Sequence, residues 1–322
     1  MGTEVARTIY RGRFAPSPTG DLHLGSVATA LFAAARCRRA SGAFVLRVED
    51  LDQPRVVAGS EAAQLADLAW LGIQFDEGPG SSVGGPFRQS ERTKHYEAAL
   101  SALSAGGHTY LCDCSRAEIA KVASAPHDGD EGPRYPGTCR EHGMRARAFR
   151  RPPAVRLAVP VDRRLFWEDV VYGPREHDAS EIVSDFVLRR SDGAFAYQLA
   201  TLVDDVAMRI TEVVRGADLA PSAPKQALLA DLLGAVAPRY LHVPLLAGTA
   251  GDRLSKRAGG MTVREERERG RQPAELLASI ARAYGQAVDD AAPDVVGALA
   301  ATLDCARFPV GSVSVSAIGA AA

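Results

Sequence analysis

The segment from Arg13 to Ser26 (RFAPSPTGDLHLGS) combines two prolines, two glycines and a histidine. The prolines fix φ and stiffen the turn, whereas Gly20 and Gly25 allow the backbone to approach a ligand closely. The segment leaves a predicted strand and enters a predicted helix, whose first N–H groups attract phosphate. His23 can donate to phosphate or ribose oxygens. The pattern predicts either a phosphate-binding turn or a plain strand–turn–helix with a surface histidine.

A second candidate for a functional segment is the polar loop Arg253–Arg257 (RLSKR), which is followed by glycines at positions 259 and 260. Only four of the 38 Lys and Arg residues are lysines, so Lys256 is unusual in this chain. A lysine on a flexible loop can stabilise the negative charge that develops on a leaving pyrophosphate. Taken alone, the loop is also compatible with a solvated basic patch.

Three of the five cysteines lie close together in the sequence, at Cys112, Cys114 and Cys139. Three thiols and one further ligand suit a tetrahedral zinc ion, although free thiols in a reducing compartment would give the same pattern. The chemistry of the residues leaves the fourth ligand open between His127 and His142, because imidazole is a common partner of thiolates.

The elements that must position these groups alternate along the chain. The patterning predicts strands at 8–14 and 43–48 and helices at 26–41, 57–72 and 91–105. This order favours a parallel, doubly wound α/β sheet. The pattern changes between Cys112 and Arg190, which indicates an inserted subdomain, and Ser115 with Glu118 forms a predicted capping box. Strand and helix patterns return at 194–236, with a helix that begins at Ser222.

Composition places the chain among globular proteins of about two domains, with 322 residues, 46% hydrophobic and 24% charged. The net charge of −1 excludes a global basic field. No apolar run is long enough for a membrane span, and no signal peptide is recognisable. We therefore expect a cytoplasmic protein without a membrane partner.

The histidine turn and the lysine loop together resemble the paired nucleotide-binding signatures of class I aminoacyl-tRNA synthetases, known as HIGH and KMSKS. Here they read HLGS at 23–26 and RLSKR at 253–257. Further segments resemble the glutamyl and glutaminyl branch of that family: RFAPSPTG (13–20), RVEDLD (47–52), YQLATLVDD (197–205) and ITEVVRGAD (210–218). The resemblance covers about residues 8–285 and implies a Rossmann-like catalytic domain.

The resemblance also implies roles for individual residues. The arginines that hold substrate carboxylates correspond to Arg13 and Arg215, and a planar guanidinium pairs well with a carboxylate. The acceptor of the substrate amino group corresponds to Glu49; on its own, EDLD at 49–52 would also suit a solvated turn or a divalent-metal site. The implied glutamate-binding residues are Arg13, Ala15, Ser17, Glu49, Tyr197 and Arg215. The implied ATP-binding residues are His23, Gly25, Ser26, Ser255 and Lys256, of which His23 and Lys256 are the catalytic pair.

The insertion is similar to that of a truncated branch of the family, the glutamyl-Q tRNA(Asp) synthetases. The shared pattern is Cys-x-Cys followed by Tyr-x-x-x-Cys, which implies one structural zinc held by Cys112, Cys114, Tyr135 and Cys139. Leu219 stands where full-length glutamyl enzymes carry histidine after the aspartate. Only 66 residues follow Lys256, too few for another domain of typical size.

This resemblance implies activation of L-glutamate with ATP and Mg²⁺, without tRNA, to glutamyl-adenylate. It further implies transfer of glutamate to queuosine in the anticodon stem-loop of tRNA(Asp). Residues 134–164 hold nine arginines against two acids, so this block is either a tRNA-contacting surface or a solvated arginine-rich one. The implied organisation is a first catalytic half at 8–110, a zinc-binding, tRNA-contacting insertion at 111–190, a second catalytic half at 191–250, and the lysine loop with a short helical tail at 251–322, without an anticodon-binding domain.

Three alternatives remain. A glutamyl- or glutaminyl-tRNA synthetase is the first: the complete enzyme would need further helical domains, and a compact glutamyl form would charge the 3′ end of a tRNA. Another nucleotidyltransferase of the same fold would not explain the paired glutamate-site motifs. A non-catalytic tRNA-binding paralogue would be expected to lose His23, Lys256 or Arg215, all of which are present. We expect a monomer.

Overall fold

The computed structural model describes residues 9–122, 134–248, 261–289 and 291–319. Its strands in these ranges are β1 (Arg11–Phe14), β2 (Ala43–Leu46), β3 (Thr109–Cys112), β4 (Ala154–Leu157), β5 (Arg164–Asp169), β6 (Gly173–Asp178), β7 (Val187–Arg189), β8 (Glu212–Gly216), β9 (Arg239–Val243), β10 (Leu246–Ala247) and β11 (Val313–Ser314).

The helices are α1 (Leu24–Arg39), α2 (Ser60–Trp70), α3 (Thr93–Ala105), α4 (Arg116–Val122), α5 (Ala179–Ile182), α6 (Tyr197–Ala207), α7 (Ser222–Leu232), α8 (Val263–Glu268), α9 (Pro273–Ala283), α10 (Val295–Thr302) and α11 (Ser316–Gly319). The predicted helices at 26–41, 57–72 and 91–105 are confirmed with shifted ends. Helix α2 begins at Ser60 and not at residue 57, because Gly59 has a left-handed backbone conformation (φ of 77°) that a right-handed helix cannot include.

The main sheet has the strand order β2-β1-β8-β9-β5-β6. The first five strands run parallel, and β6 pairs antiparallel with β5. The predicted α/β class with a parallel sheet is therefore confirmed. Strands β5 and β6 lie within the range 111–190 that was expected to form the insertion, yet they extend the main sheet.

Helices cover both faces of this sheet, and the side chains of each strand alternate between them. On β2, Phe44 and Leu46 join the core formed with α1, α9 and α10, whereas Val45 points to the opposite core. Strand β9 alternates in the same way, with Leu241 on one face and Tyr240 on the other. Burial of a strand on both faces explains its continuous apolar run.

The order of the strands in the sheet reverses between β1 and β8. Strand β1 leads through α1 to β2 on one side, while β8 lies on its other side. In open α/β sheets, such a switch point opens a crevice at the carboxyl ends of the strands. The residues that follow β1 and end β8, including Ala15 and Arg215, must therefore face a common crevice.

A separate antiparallel sheet of order β3-β4-β7 carries the cysteine segment. Helix α4 follows β3, and its predicted capping box is confirmed: the Glu118 N–H donates to Ser115 Oγ (3.2 Å) and the Ser115 N–H donates to a Glu118 carboxylate oxygen (2.7 Å). None of the helices in the described ranges is long and apolar enough to cross a membrane.

Candidate active site

A cavity of about 600 Å³ opens at the switch point. Its size is ordinary for a small-molecule site. The structure brings nine of the sequence-predicted site residues to its wall: Arg13, Ala15, Ser17, His23, Gly25, Ser26, Glu49, Tyr197 and Arg215. Ser255 and Lys256 lie outside the described residues.

His23 is the N-cap of α1. Its Nδ1 accepts a hydrogen bond from the Ser26 N–H at 3.1 Å, and its Nε2 lies 3.0 Å from Ser26 Oγ. Gly25 leaves room for this ring, because a Cβ at this position would lie 3.1 Å from His23 Nδ1, a tight contact. The first turn of α1 contains no acidic residue. The 16-residue helix thus presents its positive end to the cavity, an arrangement that suits a phosphate.

The chain on either side of residues 249–260 lies at or next to this cavity. Leu246, on β10, lines it. The Met261 carbonyl accepts the Leu24 N–H at 3.1 Å, and the Val263 N–H donates to the carbonyl of Leu22, a lining residue, at 3.0 Å. The described residue Met261 comes five positions after Lys256 in the sequence and is hydrogen-bonded to the first residue of α1.

Arg13, at the end of β1, is buried. Its Nη1 donates to the Val214 carbonyl at 3.0 Å, and its Nε lies 3.5 Å from Asp205 Oδ1. The same oxygen of Asp205 accepts from Arg47 Nη1 at 2.7 Å. Asp205 therefore holds two buried guanidinium groups in a fixed relation, and sequence reasoning did not assign it a role, although it lies within the 197–205 motif.

Glu49 is anchored beside this cluster. Its Oε1 accepts from Arg47 Nη2 at 3.1 Å and from Thr201 Oγ1 at 3.3 Å. Burial raises the pKa of Glu49, although the positive charges of Arg47 and Arg13 act in the opposite direction. Glu49 thus lies next to two buried arginines, Arg47 and Arg13.

Arg215, at the end of β8, is held on three sides. Its Nη1 donates to Gln226 Oε1 at 2.7 Å, its Nε donates to His242 Nε2 at 3.1 Å, and its guanidinium lies 4.6 Å from the Tyr240 ring centre. Nη2 is buried and has no hydrogen-bond partner within the described part of the chain. Since Arg215 lines the cavity, this nitrogen is available to a ligand.

Sequence reasoning missed the residues that hold Arg215. Gln226 lies on α7, His242 lies in a buried apolar strand, and Asp169, which contacts His242, lies in an acidic stretch. No sequence spacing connects Gln226, His242 and Asp169, because the sheet brings them together from distant parts of the chain. Arg47, which holds Glu49, could have been predicted, because it belongs to the 47–52 motif.

The three thiols of the insertion meet within 4.8 Å of one another. The Tyr135 hydroxyl lies 3.3 Å from Cys112 Sγ and 3.7 Å from Cys114 Sγ, and it accepts the Cys139 N–H at 3.0 Å. The cluster is mostly buried, and its donor set suits a metal of thiolate preference. His142 is about half exposed and does not join the group among the described residues, whereas His127 lies outside those residues.

The arginine-rich block 134–164 is largely neutralised within the fold. Arg147 and Arg150 pair with Asp113, and Arg150 and Arg151 pair with Glu118. Further arginines that contact carboxylates, carbonyls or a tyrosine ring are Arg134, Arg140, Arg156, Arg163 and Arg164. The block therefore presents a weaker positive field than its count of arginines suggests.

The family model for the catalytic domain of class I tRNA synthetases (E and Q) matches residues 10–291. The chain is 44% identical to a glutamyl-Q tRNA(Asp) synthetase of Geobacter sulfurreducens, over 97% of this chain and 94% of that one. It is also 44% identical to one of Nitratidesulfovibrio vulgaris, over 90% of this chain and 92% of the other. A crystal structure of a glutamate tRNA ligase from Elizabethkingia meningosepticum, in complex with its amino acid, superimposes with a TM-score of 0.80 at 28% identity, covering 97% of this chain and 68% of that one.

Proposed function

Because the chain belongs to the class I tRNA synthetases (E and Q), we propose that it activates glutamate with ATP and transfers the glutamyl group to queuosine in the anticodon of tRNA(Asp). One observation carries the first half of this proposal. Arg13, Arg215 and Glu49 line a single cavity together with the N-terminus of α1, so a site for an acidic amino acid adjoins a site for phosphate.

The two arginines and the carboxylate complement the three charges of glutamate. Arg13 and Arg215 each pair with a carboxylate, and Glu49 accepts the ammonium group. Ala15, Ser17 and Tyr197 complete the glutamate site, and the Tyr197 hydroxyl stays protonated because burial raises its pKa. Three charge pairs in a buried cavity fix the orientation of the substrate.

The phosphates of ATP bind at His23, Gly25 and Ser26, at the positive N-terminal end of α1. Ser255 and Lys256 contact the same phosphates from the loop. A glutamate carboxylate oxygen attacks the α-phosphorus, the bond to the bridging oxygen breaks, and pyrophosphate leaves with Mg²⁺. Lys256 stabilises the charge that develops on this leaving group. The second step passes the glutamyl group from the adenylate to a hydroxyl of queuosine and releases AMP.

Three features favour the queuosine acceptor over the 3′ end of a tRNA. The relatives named glutamyl-Q tRNA(Asp) synthetase are matched over 94% and 92% of their own length. Leu219 lines the cavity at the position where full-length glutamyl enzymes carry histidine. The third feature is the cysteine cluster with Tyr135, because its sequence pattern resembles that of the glutamyl-Q tRNA(Asp) synthetases. A compact glutamyl-tRNA synthetase remains the second candidate, supported by the similarity to the glutamate tRNA ligase structure.

We propose that residues 111–190, apart from β5 and β6 in the main sheet, act as a zinc-binding subdomain inserted between catalytic segments at 8–110 and 191–250. A zinc ion held by Cys112, Cys114, Tyr135 and Cys139 would tie β3 to the chain after α4 and would have no part in the chemistry. We further propose that the insertion contacts the tRNA backbone and that the protein acts in the cytoplasm as a monomer.

The test of the first step is glutamate-dependent exchange of pyrophosphate into ATP with no RNA present. We expect exchange with L-glutamate and none with L-glutamine, because an amide cannot form a charge pair with a buried guanidinium. A folded sample that shows no exchange above background would contradict tRNA-independent activation.

Purified protein is expected to contain about one zinc per chain. Cys112→Ser should lower the zinc content and loosen the β3-β4-β7 sheet, because Cys112 joins β3 to the cluster. Metal analysis and limited proteolysis measure these changes. Cys305→Ser is the matched control, since Cys305 lies outside the cluster. Absence of zinc, with all three thiols open to alkylation in the native state, would contradict the site.

The acid limb of kcat/KM for glutamate is expected to depend on Glu49. The Glu49 carboxylate must be ionised to bind an ammonium group, and burial raises its pKa. As the pH is lowered, activity should therefore begin to fall at a higher pH than the usual pKa of a glutamate side chain would give. Glu49→Gln should lower kcat/KM and move the limb to lower pH, where only the substrate carboxylates titrate. The exposed Glu168→Gln should leave the profile unchanged. An unshifted acid limb in Glu49→Gln would contradict this role.

A further inference from the structure

We propose that Asp169 and His242 form a positioning pair that holds the Arg215 guanidinium in its carboxylate-binding orientation by fixing one imidazole tautomer. The proposal rests on the function proposed above, in which Arg215 binds a carboxylate of glutamate. Neither residue lines the cavity, so both act through Arg215.

The tautomer of His242 follows from the donors around it. Arg215 Nε lies 3.1 Å from His242 Nε2. A guanidinium has only donors, so Nε2 must offer a lone pair. The proton of the neutral ring must then lie on Nδ1, which donates to Asp169 Oδ2. The three residues form one directed chain from a carboxylate through an imidazole to a guanidinium.

The chain is buried and anchored at its far end. His242 is 1% exposed, and Asp169 and Arg215 are each 3% exposed. The other oxygen of Asp169, Oδ1, accepts the backbone N–H groups of Val171 (2.9 Å) and Tyr172 (3.0 Å). The turn between β5 and β6 therefore fixes Asp169, and Asp169 fixes the ring that orients Arg215.

The surroundings of His242 oppose its protonation on balance, and burial is the main cause. Burial lowers the pKa of His242, and the positive charge of Arg215 acts in the same direction. Asp169 on β5 and Asp218 after β8 raise it less than these lower it. The Tyr240 ring, stacked 5.9 Å away, adds no charge. A neutral imidazole is what the hydrogen bond to Arg215 needs.

Asp169→Asn tests the tautomer directly. Because Oδ1 accepts two backbone N–H groups, asparagine must place its carbonyl oxygen there and turn its NH₂ toward His242 Nδ1. Nδ1 would then accept, the proton would move to Nε2, and two donors would face each other at Arg215. We expect the KM for glutamate to rise about 10- to 100-fold, the effect of losing one hydrogen bond to a charged group, with the KM for ATP unchanged.

Two substitutions of His242 separate positioning from packing. In His242→Gln, the side-chain oxygen reaches the place of Nε2 and can accept from Arg215. In His242→Asn, the shorter amide retains the bond to Asp169 and loses the one to Arg215. We expect the glutamate KM to rise much more in His242→Asn than in His242→Gln. A structural role alone would raise both alike, in proportion to the loss of melting temperature.

The matched control for the buried carboxylate is Asp185→Asn. Asp185 is also buried and accepts from the Tyr110 hydroxyl and the Val159 N–H, but it lies outside the cavity wall. This variant should lower stability without a selective change in the glutamate KM. An equal rise in that KM would show that loss of any buried carboxylate suffices and would overturn the proposal.

Nitrogen NMR of the imidazole provides a readout that does not depend on activity. The His242 resonances are identified by their loss in His242→Gln. We expect the Nδ1–H tautomer in the full-length wild-type protein at neutral pH and the Nε2–H tautomer in Asp169→Asn. An Nε2–H tautomer or an imidazolium in the wild type would overturn the proposal, whereas a correct tautomer in a protein without glutamate exchange would instead count against the proposed function.

Discussion

Arg215→Ala is expected to lower kcat/KM for glutamate in the exchange reaction by about 10²- to 10³-fold, with little change in the KM for ATP. The guanidinium is buried, three of its contacts are made by the protein, and Nη2 remains for the substrate. Removal leaves a substrate carboxylate without its buried partner, which costs more than the loss of a surface ion pair.

Arg215→Lys should recover little of this activity. Lysine cannot donate to His242 and Gln226 at once while it also binds a carboxylate. Arg164→Ala is the matched control, because Arg164 is exposed at the start of β5 and pairs only with acids of β6 among the described residues. Full glutamate activity in Arg215→Ala would exclude Arg215 from the amino-acid site.

The second large effect concerns the RNA. An isolated anticodon stem-loop of tRNA(Asp) that carries queuosine is expected to accept glutamate, and the same stem-loop with guanosine is expected to accept none. The acceptor hydroxyls belong to the modified base, so the guanosine form offers no nucleophile. A base in a single-stranded loop can be splayed out and bound by stacking, which lets it enter the cavity.

The measurement is transfer of radiolabelled glutamate to each stem-loop under equal conditions. Full-length tRNA(Asp) with queuosine serves as the positive control. Equal labelling of the two stem-loops would exclude queuosine as the acceptor. Labelling of the full-length tRNA alone would show that contacts beyond the anticodon arm are needed.

Much of the framework could be predicted because its signals are local. The prolines and glycines around Gly20, the capping residues Ser115 and Glu118, and the alternation of strand and helix all act within a few residues of the chain. The cavity wall could also be named, since the family motifs carry its residues. The observed ends of helices differ from the predicted ends where the conformation of a single residue sets the boundary, as Gly59 does for α2.

The remainder depends on contacts between distant segments. Asp169 and His242 are 73 residues apart and meet only because β5 pairs with β9 in parallel. The same pairing places β5 and β6 in the main sheet, whereas their position between Cys112 and Arg190 suggested that they belong to the insertion. The arginine block shows a related effect. Its excess of charge is clear in the sequence, but Asp113 and Glu118, which form four ion pairs with three of its arginines, precede it in the chain.

Mapping the glutamylated nucleotide tests the central claim most directly. Total tRNA from a queuosine-producing strain is charged with labelled glutamate and ATP, digested with nuclease, and separated into 3′-terminal and anticodon fragments. We predict that the label is recovered in the anticodon fragment of tRNA(Asp), on queuosine. Label on the 3′-terminal adenosine of tRNA(Glu), with none in the anticodon fragment of tRNA(Asp), would contradict this prediction and identify the second candidate, a compact glutamyl-tRNA synthetase.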